Sequence, residues 1–253
     1  MKTRLCIILC MVVTMALPAA AAPAAAQEHA REFLGAMEAY KAGNYGEAAK
    51  ALETIAAAGI HNGQLYYDLG NAYLKSGDLG RAILWYERAL YLIPNDPDLR
   101  FNYEYARSLT KDAQDVSTPS LVRILFFWKY QLSAGTILVL ALAFNLLFWA
   151  LALAWRLSRR RTLRYAAMAA LVPATIFILT AAFNYYEASH RSQAIVLPDK
   201  VAVRSGLEPT STELFELHAG AKVRILRQLK GHVQIRFSED KIGWIENAAV
   251  GRI

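Results

Sequence analysis

The chain has 253 residues, of which 55% are hydrophobic and only 19% charged, with 28 Lys and Arg against 21 Asp and Glu for a net charge of +7. So little charge is unusual in a soluble globular protein and directs attention to membrane-crossing segments. The basic excess is local: Lys2 and Arg4 stand at the N-terminus and five arginines lie within 156–164, leaving 21 basic residues against the 21 acidic ones. No basic surface spread over a domain remains, which excludes a nucleic-acid partner.

Residues 1–26 read as a secretory signal peptide. Lys2 and Arg4 form a positive start, "LCIILCMVVTMAL" an apolar run too short to span, and "PAAAAPAAAQ" a series of small residues suited to cleavage. Both cysteines, Cys6 and Cys10, fall inside it, so the mature chain is expected to have no disulfide, thiolate nucleophile or cysteine metal site.

Residues 27–110 repeat with a period of 34. Lys41/Lys75, Gly43/Gly77, Gly46/Gly80, Ala48/Ala82 and Glu53/Glu87 coincide in the register 29–62 against 63–96. In the second copy Gly70, Ala82 and Ala89 are small where paired helices meet, while Tyr66, Tyr73 and Tyr86 fill the space between. Gly77-Asp78 makes the turn within the pair and Pro94-Asn95 ends it. Period and residues together resemble tetratricopeptide repeats. The first copy is degenerate, with Glu32 and Ile60 in place of a large residue and the proline. "DPDLRFNYEYARSLTKD" reads as a capping helix. The resemblance implies a peptide-binding concave face lined by the first helix of each pair. Phe33, Met37, Tyr40, Lys41, Tyr67, Asn71, Leu74, Lys75, Phe101 and Tyr105 fall there, and from these Tyr40, Lys41, Tyr67, Asn71, Lys75 and Tyr105 are the partner-binding candidates. Residues 27–118 hold 9 basic and 13 acidic residues, which favours a basic or polar partner segment.

Residues 111–133 read as a polar linker followed by an interfacial segment, with Arg123 and Lys129 at headgroup level. Residues 134–155 and 165–186 are two uncharged stretches of 22 residues each, long enough to cross a bilayer at ~1.5 Å per residue. Aromatic residues stand at their ends. Asn145 and Thr175 lie at similar depth and are candidates for a bond across the helix pair. Pro173 is a candidate kink. Neither span carries an acid or base, so they read as an anchor rather than an ion path. Between them the loop 156–164 carries Arg156, Arg159, Arg160, Arg161 and Arg164, a positive-inside signal. With the signal peptide it predicts a cytoplasmic loop, lipid headgroup contact there, and both termini of the mature chain on the periplasmic side of a bacterial inner membrane.

From 192 to 253 short β-branched runs alternate with turns, the pattern of a small all-β unit. Val203-Arg204-Ser205, Phe215 before "HAGAKVRIL" and Gly243-Trp244-Ile245 resemble a bacterial SH3 domain, and Phe215 and Trp244 are its ligand candidates. The five histidines make no metal-ligand spacing, and no nucleophile elbow, phosphate loop or dinucleotide fingerprint occurs. No enzyme activity, cofactor or metal is expected.

The expected architecture is a multi-domain membrane protein: an α-helical tetratricopeptide array, a two-helix transmembrane hairpin and a small all-β SH3-like barrel. This order, with "DLRFNYEYAR" after the repeats and "AIVLPDKVAVRSG" after the spans, resembles the BatE-type proteins of the Bacteroides aerotolerance operon. The resemblance implies neighbours with von Willebrand factor A domains and a MoxR-type ATPase, and an envelope stress role. The expected function is a non-enzymatic scaffold; the alternative is a protein that binds or senses peptidoglycan through its β unit.

Overall fold

The computed structural model describes residues 23–112, 126–189, 192–208 and 210–253. The expected signal segment lies outside these except for residues 23–26, and so do Arg123 and most of the linker.

Five helices form the repeat region: α1 (Pro23–Lys41), α2 (Tyr45–Ala57), α3 (Gly63–Ser76), α4 (Leu79–Leu92) and α5 (Pro97–Ser108). Their ends follow from local chemistry. The Asn62 side chain accepts from the Gln64 and Leu65 amides, Asp78 from Arg81, and Asp96 from Leu99, with Pro97 opening the last helix. Gly77 closes α3 at φ +88°, in the left-handed region. Leu52, Leu69, Tyr86 and Leu99 are fully buried between the pairs. At Gly70 a Cβ would stand 2.4 Å from the Tyr86 ring, so the tyrosine lies where only glycine leaves room.

After α6 (Phe127–Gln131), α7 (Ala134–Ser158) and α8 (Arg161–Ser189) form an antiparallel hairpin. Both are long and apolar enough to cross a membrane, and only 11% and 17% of their most apolar windows are buried. That exposure separates them from the core helices of a soluble fold. Ala141, Ala167, Ala170 and Ala174 are buried, letting the backbones approach, and Phe144 stacks on Phe177. The helix ends differ from the ends of the apolar stretches, and one expected contact is absent. Within the basic segment 156–164 only Arg159-Arg160 are non-helical, because arginine is a good helix former and both helices run on past the apolar stretch. Arg159 makes the turn at φ +55°. Asn145 and Thr175 do not pair; the Thr175 hydroxyl donates to the Leu171 carbonyl one turn back on its own helix.

The C-terminal unit holds β1 (Gln193–Val196), β2 (Lys200–Arg204), β3 (Glu213–His218), β4 (Lys222–Leu229), β5 (His232–Arg236), β6 (Ile242–Glu246) and β7 (Val250–Arg252). They make one antiparallel sheet in the order β3-β2-β6-β5-β4-β1-β7. The all-β expectation holds for the strands. The sheet does not close into a ring: β3 and β7 are its edges. Val203, Leu217, Val223, Val233, Ile235 and Ile245 build its core. Lys230 and Gly231 both take positive φ and turn β4 tightly into β5.

The repeats and the sheet are packed on one another. Ile195 of β1 belongs to the hydrophobic core of the repeats, and Leu197 and Ile253 pack against it. A Cβ on Gly80 of α4 would lie 2.3 Å from the Leu197 carbonyl oxygen, and one on Gly251 2.3 Å from Leu84. Polar contacts ring this seam. Lys222 pairs with Glu87 at 2.9 Å, which also accepts from the Tyr103 hydroxyl. Asp112 accepts from the His218 amide and meets its ring nitrogen at 3.0 Å.

Candidate functional site

The first helices of the repeat units, α1 and α3, and the capping helix α5 carry the candidate groove. Tyr40 of α1 is half-buried and meets Tyr45 edge-on at 5.1 Å. Tyr67 of α3 is half-buried and its hydroxyl accepts from the Asn102 side-chain amide at 2.9 Å. The same amide donates at 2.9 Å to Asn71 Oδ1, which also accepts from the Tyr86 hydroxyl at 2.7 Å. Asn71 therefore ties α3, α4 and α5 together instead of standing free for a ligand. Lys41 and Lys75 are exposed at the ends of their helices. Phe33, Met37 and Leu74 pack partly against the core. Phe101 and Tyr105 are 72% and 54% exposed on α5, too much surface for packing aromatics, so they remain free for contact with another chain.

Electrostatics sharpen the picture. Burial lifts the Asp68 carboxyl to about 6, against the Gln64 amide that pulls it down. Burial also raises the hydroxyls of Tyr40 and Tyr67, and the nearby Asp68 adds to both. Asp96 and Asp98 act on Tyr67 in the same direction. The Tyr40 and Tyr67 hydroxyls and the Asp68 carboxyl thus lie close enough to act on one another, and together they can meet a cation or donor. Two members of this face, Asp68 and Asn102, are not marked by the sequence pattern. Asn102 lies in the capping helix, where no second repeat unit exists to compare with it.

On the sheet, Phe215 and Trp244 are not brought together. Phe215 pairs with buried Val203 and packs against the sheet core, whereas Trp244 pairs with Arg204 and Gln234 and alternates with buried Gly243 and Ile245. The two rings lie on opposite faces of the sheet. Lys241 approaches the rings of Phe215 and Phe237, each at 5.7 Å. The five arginines gather at the closed end of the α7–α8 hairpin, exposed or nearly so. Lys129, expected near the headgroups, pairs with Glu187 at 3.1 Å and lies over Phe183, at the hairpin's other end. Among the described residues no three His, Cys, Asp or Glu side chains converge as metal ligands.

Comparison with known proteins fits the helical part. A tetratricopeptide-repeat family model matches residues 33–97, from within α1 to the start of α5. No curated protein matches the chain. The match spans about a quarter of the length and does not extend to the hairpin or the sheet. Residues 33–97 therefore carry both the sequence and the helix-pair geometry of tetratricopeptide repeats, a module of protein–protein interaction.

Proposed function

We propose that this protein is a non-enzymatic membrane scaffold whose tetratricopeptide module holds a basic or polar segment of a partner protein. The observation that supports this reading is the cluster of Tyr40, Tyr67 and Asp68 beside the Asn71–Asn102 hydrogen-bond network, drawn together from α1, α3 and α5. In this reading α7 and α8 anchor the chain in a bacterial inner membrane, the arginine turn stays in the cytoplasm, and the repeats and the SH3-like sheet sit on the periplasmic side. The likeness to BatE-type proteins supports partners with von Willebrand factor A domains, a MoxR-type ATPase system and an aerotolerance or envelope stress role.

A photo-crosslinking residue placed at Lys75, on the end of the candidate groove, tests this in cells. The expected adduct is with one partner through a segment rich in Lys or Arg, and it disappears when Asp68→Lys is added. Equal adducts from a control position at Glu239 on the sheet, or an adduct indifferent to Asp68→Lys, overturn the proposal.

A further inference from the structure

The opposite side of the repeats carries a second cleft. It has a volume of about 1090 Å³ and lies between α2, α4 and the end of β7. Three aromatic side chains, Tyr66, Trp85 and Tyr91, line it beside three cations, Lys50, Arg88 and Arg252. Trp85 and Tyr66 stand 5.0 Å apart between ring centres. The Arg88 guanidinium lies 4.5 Å over the Trp85 ring and donates through Nε and Nη2 to the Arg252 carbonyl at 3.2 and 2.7 Å.

Arg88 is half-buried, and among the described residues its hydrogen bonds go to the Arg252 carbonyl, with Glu53 acting on it only through charge. Taking a guanidinium out of water without a counter-ion is unfavourable, so the cleft is electrostatically incomplete. Burial is also the leading cause that pulls the Arg88 pKa below its ordinary value. The one acidic side chain in the lining, Glu53, makes no ion pair with Arg88 among the described residues, although its charge reaches both Arg88 and Tyr73. Three cationic side chains against one acidic one leave the side-chain charge of the lining positive.

We infer that this cleft is a second protein-docking site, and that its occupant is an acidic peptide segment carrying an aromatic or aliphatic side chain. Carboxylates of the segment meet Lys50, Arg88 and Arg252, and the apolar side chain lies among Tyr66, Trp85 and Tyr91. The apolar lining is wasted on a small free anion. A lipid headgroup fits poorly too, because no residue of the α6–α8 region lines the cleft. The cavity that those helices do line is a separate one and shares only Tyr91 and Ile253 with it. The site is independent of the concave face and has the opposite charge preference.

The test uses the full chain in discs of zwitterionic lipid and fluorescent nine-residue peptides. Each peptide holds one Phe and one Leu, and net charge steps from −4 to +4. Among the acidic peptides affinity is expected to rise with each added negative charge, to fall at least tenfold in Arg88→Gln and in the exposed Lys50→Glu, and to stay unchanged in Glu239→Gln in the exposed turn between β5 and β6. Lys50→Glu keeps the test decisive if Arg88→Gln misfolds. Binding that ignores charge, no binding by any peptide, or acidic-peptide binding that both cleft variants retain overturns the inference. Saturation by phosphatidylglycerol vesicles without peptide binding assigns the cleft to lipid and overturns it as well.

Discussion

Asp68 is the residue on which the concave face turns. Its value of about 6 in the folded chain lies above the ~3.9 of a free aspartate. Between those values the folded state holds a proton that the unfolded state has released. Stability contributed by this group therefore falls as pH rises from about 4 to about 6 and is level above that. The groups facing it are Gln64 on its own helix and the Tyr40 and Tyr67 hydroxyls, and neither hydroxyl ionises in this range. Asp68→Asn is expected to remove the slope and to raise thermal stability at pH 7, measured as melting temperature at pH 4.5, 5.5 and 7. An unchanged slope in the variant places the titration elsewhere. A bound lysine or arginine favours the carboxylate, so affinity for a basic peptide is expected to drop up to about tenfold per pH unit below 6. Asn71 makes a second case. Its Oδ1 satisfies the hydroxyl of Tyr86, which has 0% exposure. Asn71→Ala leaves that hydroxyl and the Asn102 amide without this acceptor, an expected loss of about 1–3 kcal/mol in urea unfolding. A loss below about 0.5 kcal/mol shows that water replaces it.

At the scale of elements, Gly46 and Gly80 occupy the same repeat position in α2 and α4 but face different surroundings. A Cβ on Gly46 meets nothing within 4 Å, whereas one on Gly80 strikes the backbone of Leu197. Backbone cannot swing aside as a flexible side chain can. Gly46→Ala is expected to be neutral or to stabilise by up to about 1 kcal/mol, since glycine is the poorer helix former. Gly80→Ala is expected to destabilise by about 1–3 kcal/mol and to open the seam between α4 and β1. Faster protease cleavage in Gly80→Ala, and none in Gly46→Ala, checks both; equal behaviour of the two variants rejects the seam. This pair also marks the limit of sequence reading. The period of 34 exposes what the two copies share, such as the helix pairs and the Gly77 turn, because identical packing imposes identical residues. The seam is a contact of one copy only, with a chain segment more than 100 residues away, and no period reports it. The length of the arginine turn is hidden from sequence for a related reason. Loss of hydropathy marks the end of an apolar span, whereas the helix ends where backbone geometry changes, at Arg159.

For the whole molecule, charge and packing bear on orientation separately. Outside the hairpin turn and the first residues the chain is neutral, so Arg156, Arg159, Arg160, Arg161 and Arg164 dominate any positive-inside bias. Independently, α7 and α8 are antiparallel, so Ala134 and Ser189 emerge at one end, the end opposite the arginine turn. The repeats precede the first and the sheet follows the second, and the α4–β1 seam needs both on one side. Two crossings satisfy this requirement; a single crossing breaks the seam and leaves one core face bare. A phosphatase that works only outside the cytoplasm is therefore expected to be active when fused after residue 253 and inactive when inserted between residues 159 and 160. Changing all five arginines to glutamine weakens the charge bias but leaves the seam, so the expected result is a mixed population in which both folded units still share a side. Activity at the turn of the unaltered chain overturns the orientation. Opposite placement of the two units in the glutamine variant shows that the seam forms only after insertion and does not guide it.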